Sequence, residues 1–174
     1  IYEDRSVTVT TIPLKHRATS VGFLFEEKAM ERHLVRDLVE AYEIPLRLLK
    51  GIKNGDDYVT PDGELVPNER LTTPPTPPRR FAYCSDTAYS EKIVELIRGV
   101  DCLYHETTFL SEDMVRAKQT LHSTAAQAAQ IAQAAQVGKL IIGHYSARYR
   151  QITPFLEEAK AIFPNTVGAT DGAQ

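Results

Sequence analysis

The chain has 174 residues, 43% of them apolar and 25% charged, which is ordinary for a globular protein and enough for one domain with its own core. No run is long and apolar enough to span a bilayer. A formal net charge of -3 excludes a global attraction for nucleic acid, so a polyanion would have to meet a local basic patch or a metal. Candidate patches are Lys50 with Lys53, Arg79 with Arg80, and Arg148 with Arg150, the first two pairs reading better as solvated surface charges. The opening Ile1-Tyr2-Glu3-Asp4-Arg5 is no signal peptide and lacks an initiator Met, which implies a piece of a longer protein. Cys84 and Cys102 both fall in apolar runs and read as small core residues rather than a disulfide, favouring a reducing cytoplasm.

In chain order, residues 7–12 alternate Val or Ile with Thr and predict a strand. Residues 21–25 predict its antiparallel partner, with His16 between the two. Apolar residues at Met30, Leu34, Leu38 and Val39 predict a helix over 30–42 carrying His33 on its surface. Residues 51–80 are turn-rich: Asn54-Gly55 and Asp62-Gly63 mark turns around short strands, and the Pro-rich run 73–78 predicts an extended surface segment. We read this stretch as a loop within a single domain spanning 1–174.

From residue 81 the pattern becomes regular. Strands are expected at 81–84, 102–104 and 139–143, and helices at 90–98 (capped by Ser90), 112–118, 125–136 and 154–162. Ser123 or Thr124 can cap the Ala- and Gln-rich third helix, and Gly138 is expected to end it. Strand–helix alternation of this kind defines an α/β layer arrangement without internal repeats.

Three of these strands run into residues that bind metals or move protons: Ser85-Asp86-Thr87, His105-Glu106-Thr107 and His144-Tyr145-Ser146. Carboxyl ends of parallel strands lie along one edge of a sheet, where ligands bind. Asp86, His105, Glu106 and His144 are therefore expected on one rim, with His16 also just past a strand end. Imidazole and carboxylate suit zinc, and a carboxylate can bridge two ions. Taken singly, each has a structural alternative, Asp86 as a turn or cap and Glu106 as a salt bridge. His122 precedes a helix N-terminus, whose dipole lowers the proton affinity of an imidazole and favours an anion; it could be a catalytic acid oriented by Glu106, or a polar cap. Arg148 and Ser146 offer donors for a phosphate oxygen, or bonds to loop carbonyls.

Together these segments resemble ribonuclease Z, a tRNA 3′-processing family of the metallo-β-lactamase fold. Pro13-Leu14-Lys15-His16 with Ser20, Gly22 and Phe23 is similar to one of that family's metal motifs. Cys84-Ser85-Asp86-Thr87 resembles the bridging-Asp motif, with Ser85 at a usual Gly. His105-Glu106-Thr107-Thr108-Phe109 resembles the His-Glu-Ala-Thr loop, with Thr107 in place of Ala. His122-Ser123-Thr124 and His144-Tyr145-Ser146-Ala147-Arg148-Tyr149 complete the set in order.

The resemblance implies an α/β fold, the C-terminal half of an αββα sandwich with a mixed sheet and flanking helices. It also implies a zinc-dependent endoribonuclease with two zinc ions per complete site, precursor tRNA as substrate, a homodimer and a cytoplasmic location without membrane contact. Asp86 would bridge the metals, His16 and His144 would each bind one, His122 with Glu106 would handle the proton, and Ser146 and Arg148 would hold phosphate oxygens. The family's His-x-His-x-Asp-His motif, which supplies most of its metal ligands, is absent from this chain, and residues 43–54 lack the family's Pro-Pro-Gly-Pro-like tRNA element. The chain alone is therefore expected to be inactive. Rival readings are a small-molecule esterase or lactonase of the same fold, and a non-catalytic RNA- or partner-binding half.

Overall fold

The computed structural model describes residues 1–172. The chain divides into two compact units, Ile1–Glu27 with Arg79–Gln174, and Lys28–Pro78. The first unit opens with β1 (Tyr2–Glu3), β2 (Val7–Pro13) and β3 (Val21–Glu27). The second contributes β4 (His33–Leu34), α1 (Arg36–Ala41), α2 (Leu46–Lys53), β5 (Tyr58–Val59), β6 (Leu65–Val66), α3 (Asn68–Leu71) and β7 (Thr72–Thr73). The chain then returns to the first unit with β8 (Arg80–Cys84), β9 (Cys102–Glu106), α4 (Met114–Thr120), α5 (Ala125–Ala134), β10 (Lys139–Gly143), α6 (Thr153–Lys160) and β11 (Thr166–Gly168).

The first unit is a mixed seven-stranded sheet in the order β1-β2-β3-β8-β9-β10-β11. β3 is antiparallel to both β2 and β8, and β8 through β11 are parallel. β2 therefore points the same way as β8, β9 and β10, and all four carboxyl ends reach one edge. On one face of the sheet Leu24, Ala82, Cys84, Leu103, Leu140 and Ile142 share a core with α5 and α6. The small side chains Ala125, Ala128, Ala129 and Ala132 are all buried there, as expected for a helix whose backbone lies close to a sheet. Burial pushes the Cys84 thiol up to about 12, so this sulfur behaves as a core hydrophobe, and neither cysteine is in a disulfide. The opposite face is aromatic and stays partly exposed: the Phe25 and Phe81 rings lie 5.9 Å apart, and Tyr83 stacks on Tyr104 at 4.7 Å.

Two glycines answer close approach rather than a turn. Gly138 does not end α5; Gln136 takes the left-handed conformation there (φ 54°), and a Cβ on Gly138 would lie 2.6 Å from the Asp101 carbonyl. A Cβ on Gly143 would lie 2.6 Å from the Tyr104 hydroxyl, whose ring is held by stacking on Tyr83. Gly143→Ala is expected to cost about 1–3 kcal/mol in a urea melt, as overpacking does. Tyr104→Phe in the same background should recover most of that loss; a double variant no more stable than Gly143→Ala would rule out this contact as the cause.

The second unit packs Ile44, Ile52, Tyr58, Val66 and Leu71 into a small core of its own. Buried Asn68 ties it together: its amide donates to the carbonyls of Ile52 (2.6 Å) and Asp56 (2.8 Å), and its Oδ1 accepts from the Thr72 hydroxyl (2.9 Å).

Several elements depart from the sequence-based expectation. The helix expected over 30–42 begins only at Arg36, and His33 lies on β4, because His33–Leu34 pairs with Thr72–Thr73 and Val35 donates to the Leu71 carbonyl. Long-range pairing overrides the local period there. Residues 46–53, for which no helix was expected, form α2 directly after Pro45. Ser90 makes no side-chain cap, and only a 3-10 turn, Glu91–Ile93, replaces the expected helix, although Ile93, Val94 and Ile97 are buried as the pattern required. Thr124, not Ser123, caps α5, in a reciprocal capping box with Gln127. The three-residue β11 was too short to read.

Candidate metal and proton-transfer site

The common edge brings the expected residues together. Asp86 follows β8, Glu106 ends β9, His144 follows β10 and His16 follows β2. Two loops are stitched at this edge: Lys15 N–H donates to Thr87 Oγ1 (3.0 Å), Ala88 N–H donates to the Lys15 carbonyl (2.7 Å), and the Ser20 hydroxyl donates to the Asp86 carbonyl (3.0 Å). His122 arrives from the turn after α4, where Leu121 adopts a left-handed conformation (φ 60°). His144 itself has φ 62°, a conformation costing a non-glycine residue about 1–3 kcal/mol and concentrated at functional sites.

Glu106 is the hub. Its side chain is fully buried, and its Oε1 accepts from Thr87 N–H (3.0 Å), Ser123 N–H (3.1 Å) and His122 Nδ1 (2.8 Å). Its Oε2 accepts from Thr108 N–H (2.9 Å) and from the Thr108 hydroxyl (2.8 Å). Burial pushes this carboxyl up, but the His122 bond and the Thr108 and Thr87 N–H groups outweigh it, so Glu106 sits below the ordinary carboxylate range.

The same bonds set the imidazole tautomers. The Thr108 hydroxyl spends its only proton on Glu106, so it accepts from His144 Nδ1 (2.9 Å). His16 Nδ1 donates to the Leu121 carbonyl (2.9 Å). His122 Nδ1 donates to Glu106. Each ring therefore has a proton on Nδ1 and presents Nε2 to the site, the orientation that supporting hydrogen bonds give metal-binding histidines. The rings are close: centroids of His16 and His122 lie 4.8 Å apart, those of His122 and His144 5.5 Å. Donor atoms of His16, Asp86 and His122 lie within 4.8 Å of one another, as do those of Glu106, His122 and His144. His144 Nε2 and Asp86 Oδ1 face each other at 3.4 Å, two lone-pair donors that a cation between them would reconcile. This donor set fits zinc.

His122 has its proton affinity raised, first by the Glu106 hydrogen bond, against the opposing effect of burial. This corrects the expectation that the dipole of α5 would lower it: a carboxylate at 2.8 Å outweighs half a unit of helix charge. The sign of the linked stability follows. The Glu106 contribution is present above the unfolded carboxylate pKa near 4.5 and is lost as pH falls below it. The His122 contribution is complete below about 6.5 and is lost as pH rises through the higher folded value.

Ser146 and Arg148 lie farther along the loop after β10. Ser146 N–H donates to the Thr108 carbonyl (3.1 Å). The Arg148 guanidinium sits over the Phe109 ring at 5.8 Å and reaches Asp113 only at 4.0 Å. Phe109 in turn meets the His122 ring edge-on at 6.2 Å. His105, in contrast, is fully buried in β9: its Nδ1 donates to the Glu106 carbonyl (2.7 Å), Nε2 has no partner, and burial depresses its proton affinity, so it is a neutral core residue. Sequence reasoning missed Thr108, which links Glu106, His122 and His144. Its position two residues past Glu106 on the strand end was the available signal.

The metallo-β-lactamase fold is the class that this sheet and its edge define. Residues 70–145 match the beta-lactamase superfamily domain. The chain superposes with a TM-score of 0.63 at 15% identity on a metallo-beta-lactamase fold protein from Bacillus subtilis, covering 99% of this chain and 50% of that one. On the short form of human tRNase Z the TM-score is 0.59 at 20% identity, covering 99% and 44%. Its sequence likeness is to ribonuclease Z: 58% identity over 171 residues to that of Bacteroides thetaiotaomicron, and 54% over 172 residues to that of Parabacteroides distasonis. These alignments cover 98% and 99% of this chain but 54% and 57% of the relatives, so the chain spans about half the length of the curated relatives it matches.

Proposed function

We propose that this chain is the C-terminal part of one metallo-β-lactamase-fold domain of a ribonuclease Z, an endoribonuclease that hydrolyses a phosphodiester of precursor tRNA to remove the 3′ trailer. The observation that carries the reading is the Glu106–His122 pair set beside the Nε2 atoms of His16 and His144 and the Asp86 carboxylate. His16, Asp86 and His144 would hold the zinc ions. When bound, zinc supplies Lewis-acid charge for the phosphoryl oxygens and makes water a stronger acid.

The chain's own residues supply the rest. Glu106 fixes His122 with its proton-bearing Nε2 toward the site and stabilises the imidazolium. His122 Nε2 gives that proton to the departing ribose oxygen. Arg148, steadied on Phe109, and the Ser146 hydroxyl bind phosphate oxygens. A homodimer in the cytoplasm is part of this reading. No described helix is long and apolar enough to cross a membrane.

The test is made with the full-length protein that carries this segment. It should cut precursor tRNA at the trailer and hydrolyse a model phosphodiester, while leaving lactones and carboxylic esters untouched. Asp86→Ala should lower zinc content per chain and abolish both activities. Ester hydrolysis without tRNA cleavage would overturn the reading. The isolated 174-residue chain, lacking the His-x-His-x-Asp-His ligands, should retain little zinc and cut nothing.

A further inference from the structure

A groove of about 560 Å³ shares His16 with the candidate metal site and is otherwise lined by residues outside it. Its walls come from two segments, Pro13–His16 after β2 and the stretch from Tyr89 to Leu96 after β8. Leu14 is part-buried against the core and Leu96 is 46% exposed, which gives the groove apolar surface. The Tyr89 ring packs against the core, and its hydroxyl donates to Glu91 Oε1 (3.1 Å). Ser90 makes no cap with its hydroxyl, and neither Lys15 nor Lys92 has an ion-pair partner among the described residues.

An aromatic ring packed against the core, apolar surface, a hydroxyl outside any cap and two cations without ion-pair partners among the described residues form an unusual set on a chain of net charge -3. They match one ligand chemistry, a base that stacks and a phosphate that needs neutralising. His16 belongs both to the candidate metal cluster and to the groove lining, so the groove opens next to that cluster. We propose that this groove binds one unpaired nucleotide of the RNA strand adjacent to the scissile phosphate, with its base on Tyr89 and its phosphate between Lys15 and Lys92. The proposal rests on the endoribonuclease reading and adds a residue-level subsite to it.

Two measurements on the full-length protein test it. In the first, 2-aminopurine replaces the nucleotide on each side of the cleavage point in turn, with chelator present so that the strand stays whole. Quenching on binding is expected at one of the two positions, retained in Tyr89→Phe and lost in Tyr89→Ala. In the second, the Lys15→Ala/Lys92→Ala variant is expected to bind RNA with a salt dependence shallower by about 0.7 in log–log slope, the value for the one phosphate charge no longer neutralised. Both lysines are exposed or half-exposed at the surface, so this variant should fold. Tyr89→Ala should raise KM for precursor tRNA at least about tenfold, the size of one base–aromatic stack, with kcat little changed. Quenching that survives Tyr89→Ala, or an unchanged salt slope, overturns the groove while precursor cleavage by the parent protein leaves the endoribonuclease reading standing. A parent protein that does not cut precursor tRNA removes both.

Discussion

His122→Ala lowers kcat on precursor tRNA by about 10²–10⁴-fold while zinc content per full-length chain stays near that of the parent, the loss expected when a positioned proton donor is removed. The expectation rests on how His122 is held. Its Nδ1 is committed to Glu106 at 2.8 Å, so only Nε2 faces the site, and the Glu106 charge keeps the ring protonated to higher pH than an ordinary histidine. The metal assignment is a competing use of the same atom, because His122 also falls within both candidate metal clusters. Zinc analysis decides between them: a variant that loses about one zinc per chain has lost a ligand, and the acid role falls with it. A second check comes from the leaving group. A model diester with a nitrophenolate leaving group needs little protonation, so its hydrolysis should suffer far less than cleavage of RNA, whose departing ribose oxygen is strongly basic. Equal losses on both substrates would point to a role other than proton donation.

Much of this site was legible in the sequence because strand ends are legible. Apolar runs at 81–84, 102–104 and 139–143 end in Asp86, Glu106 and His144, and parallel order alone puts such ends on one edge. His16 needed one further step, that two antiparallel pairings restore the direction of β2. What escaped depends on hydrogen bonds between segments distant in sequence. Thr108 is one of two adjacent threonines, and nothing local shows that its hydroxyl joins three side chains. The raised proton affinity of His122 also could not be read locally, because the nearby helix start argues the opposite and Glu106 is 16 residues away. The second unit was the least legible for the same reason. Residues 30–42 have a helical period, yet two of them pair with a strand some 40 residues later.

Glu106→Ala should do the greatest damage to the fold of any single change at the site. The carboxylate accepts from three backbone N–H groups, the Thr108 hydroxyl and His122 Nδ1, all inside the protein. Removing it leaves those donors without an acceptor in a buried space, and breaking such an arrangement costs about 3–5 kcal/mol, a large fraction of a domain's stability. Urea melts of the full-length protein at pH 6, where both groups are ionised in the folded state, should show this loss. Glu106→Gln separates stability from chemistry. The amide keeps an oxygen for His122, Thr87 and Ser123, and places its NH₂ against the Thr108 N–H, so the variant folds at a smaller cost. It removes the charge, however, and with it the main cause of the raised His122 proton affinity. With His122 as the proposed proton donor, the rate should fall as pH rises through its pKa. The alkaline limb of the kcat profile should therefore move to lower pH in Glu106→Gln. An unmoved limb in a folded, zinc-replete variant would mean that Glu106 holds the loops together without tuning the proton that His122 delivers.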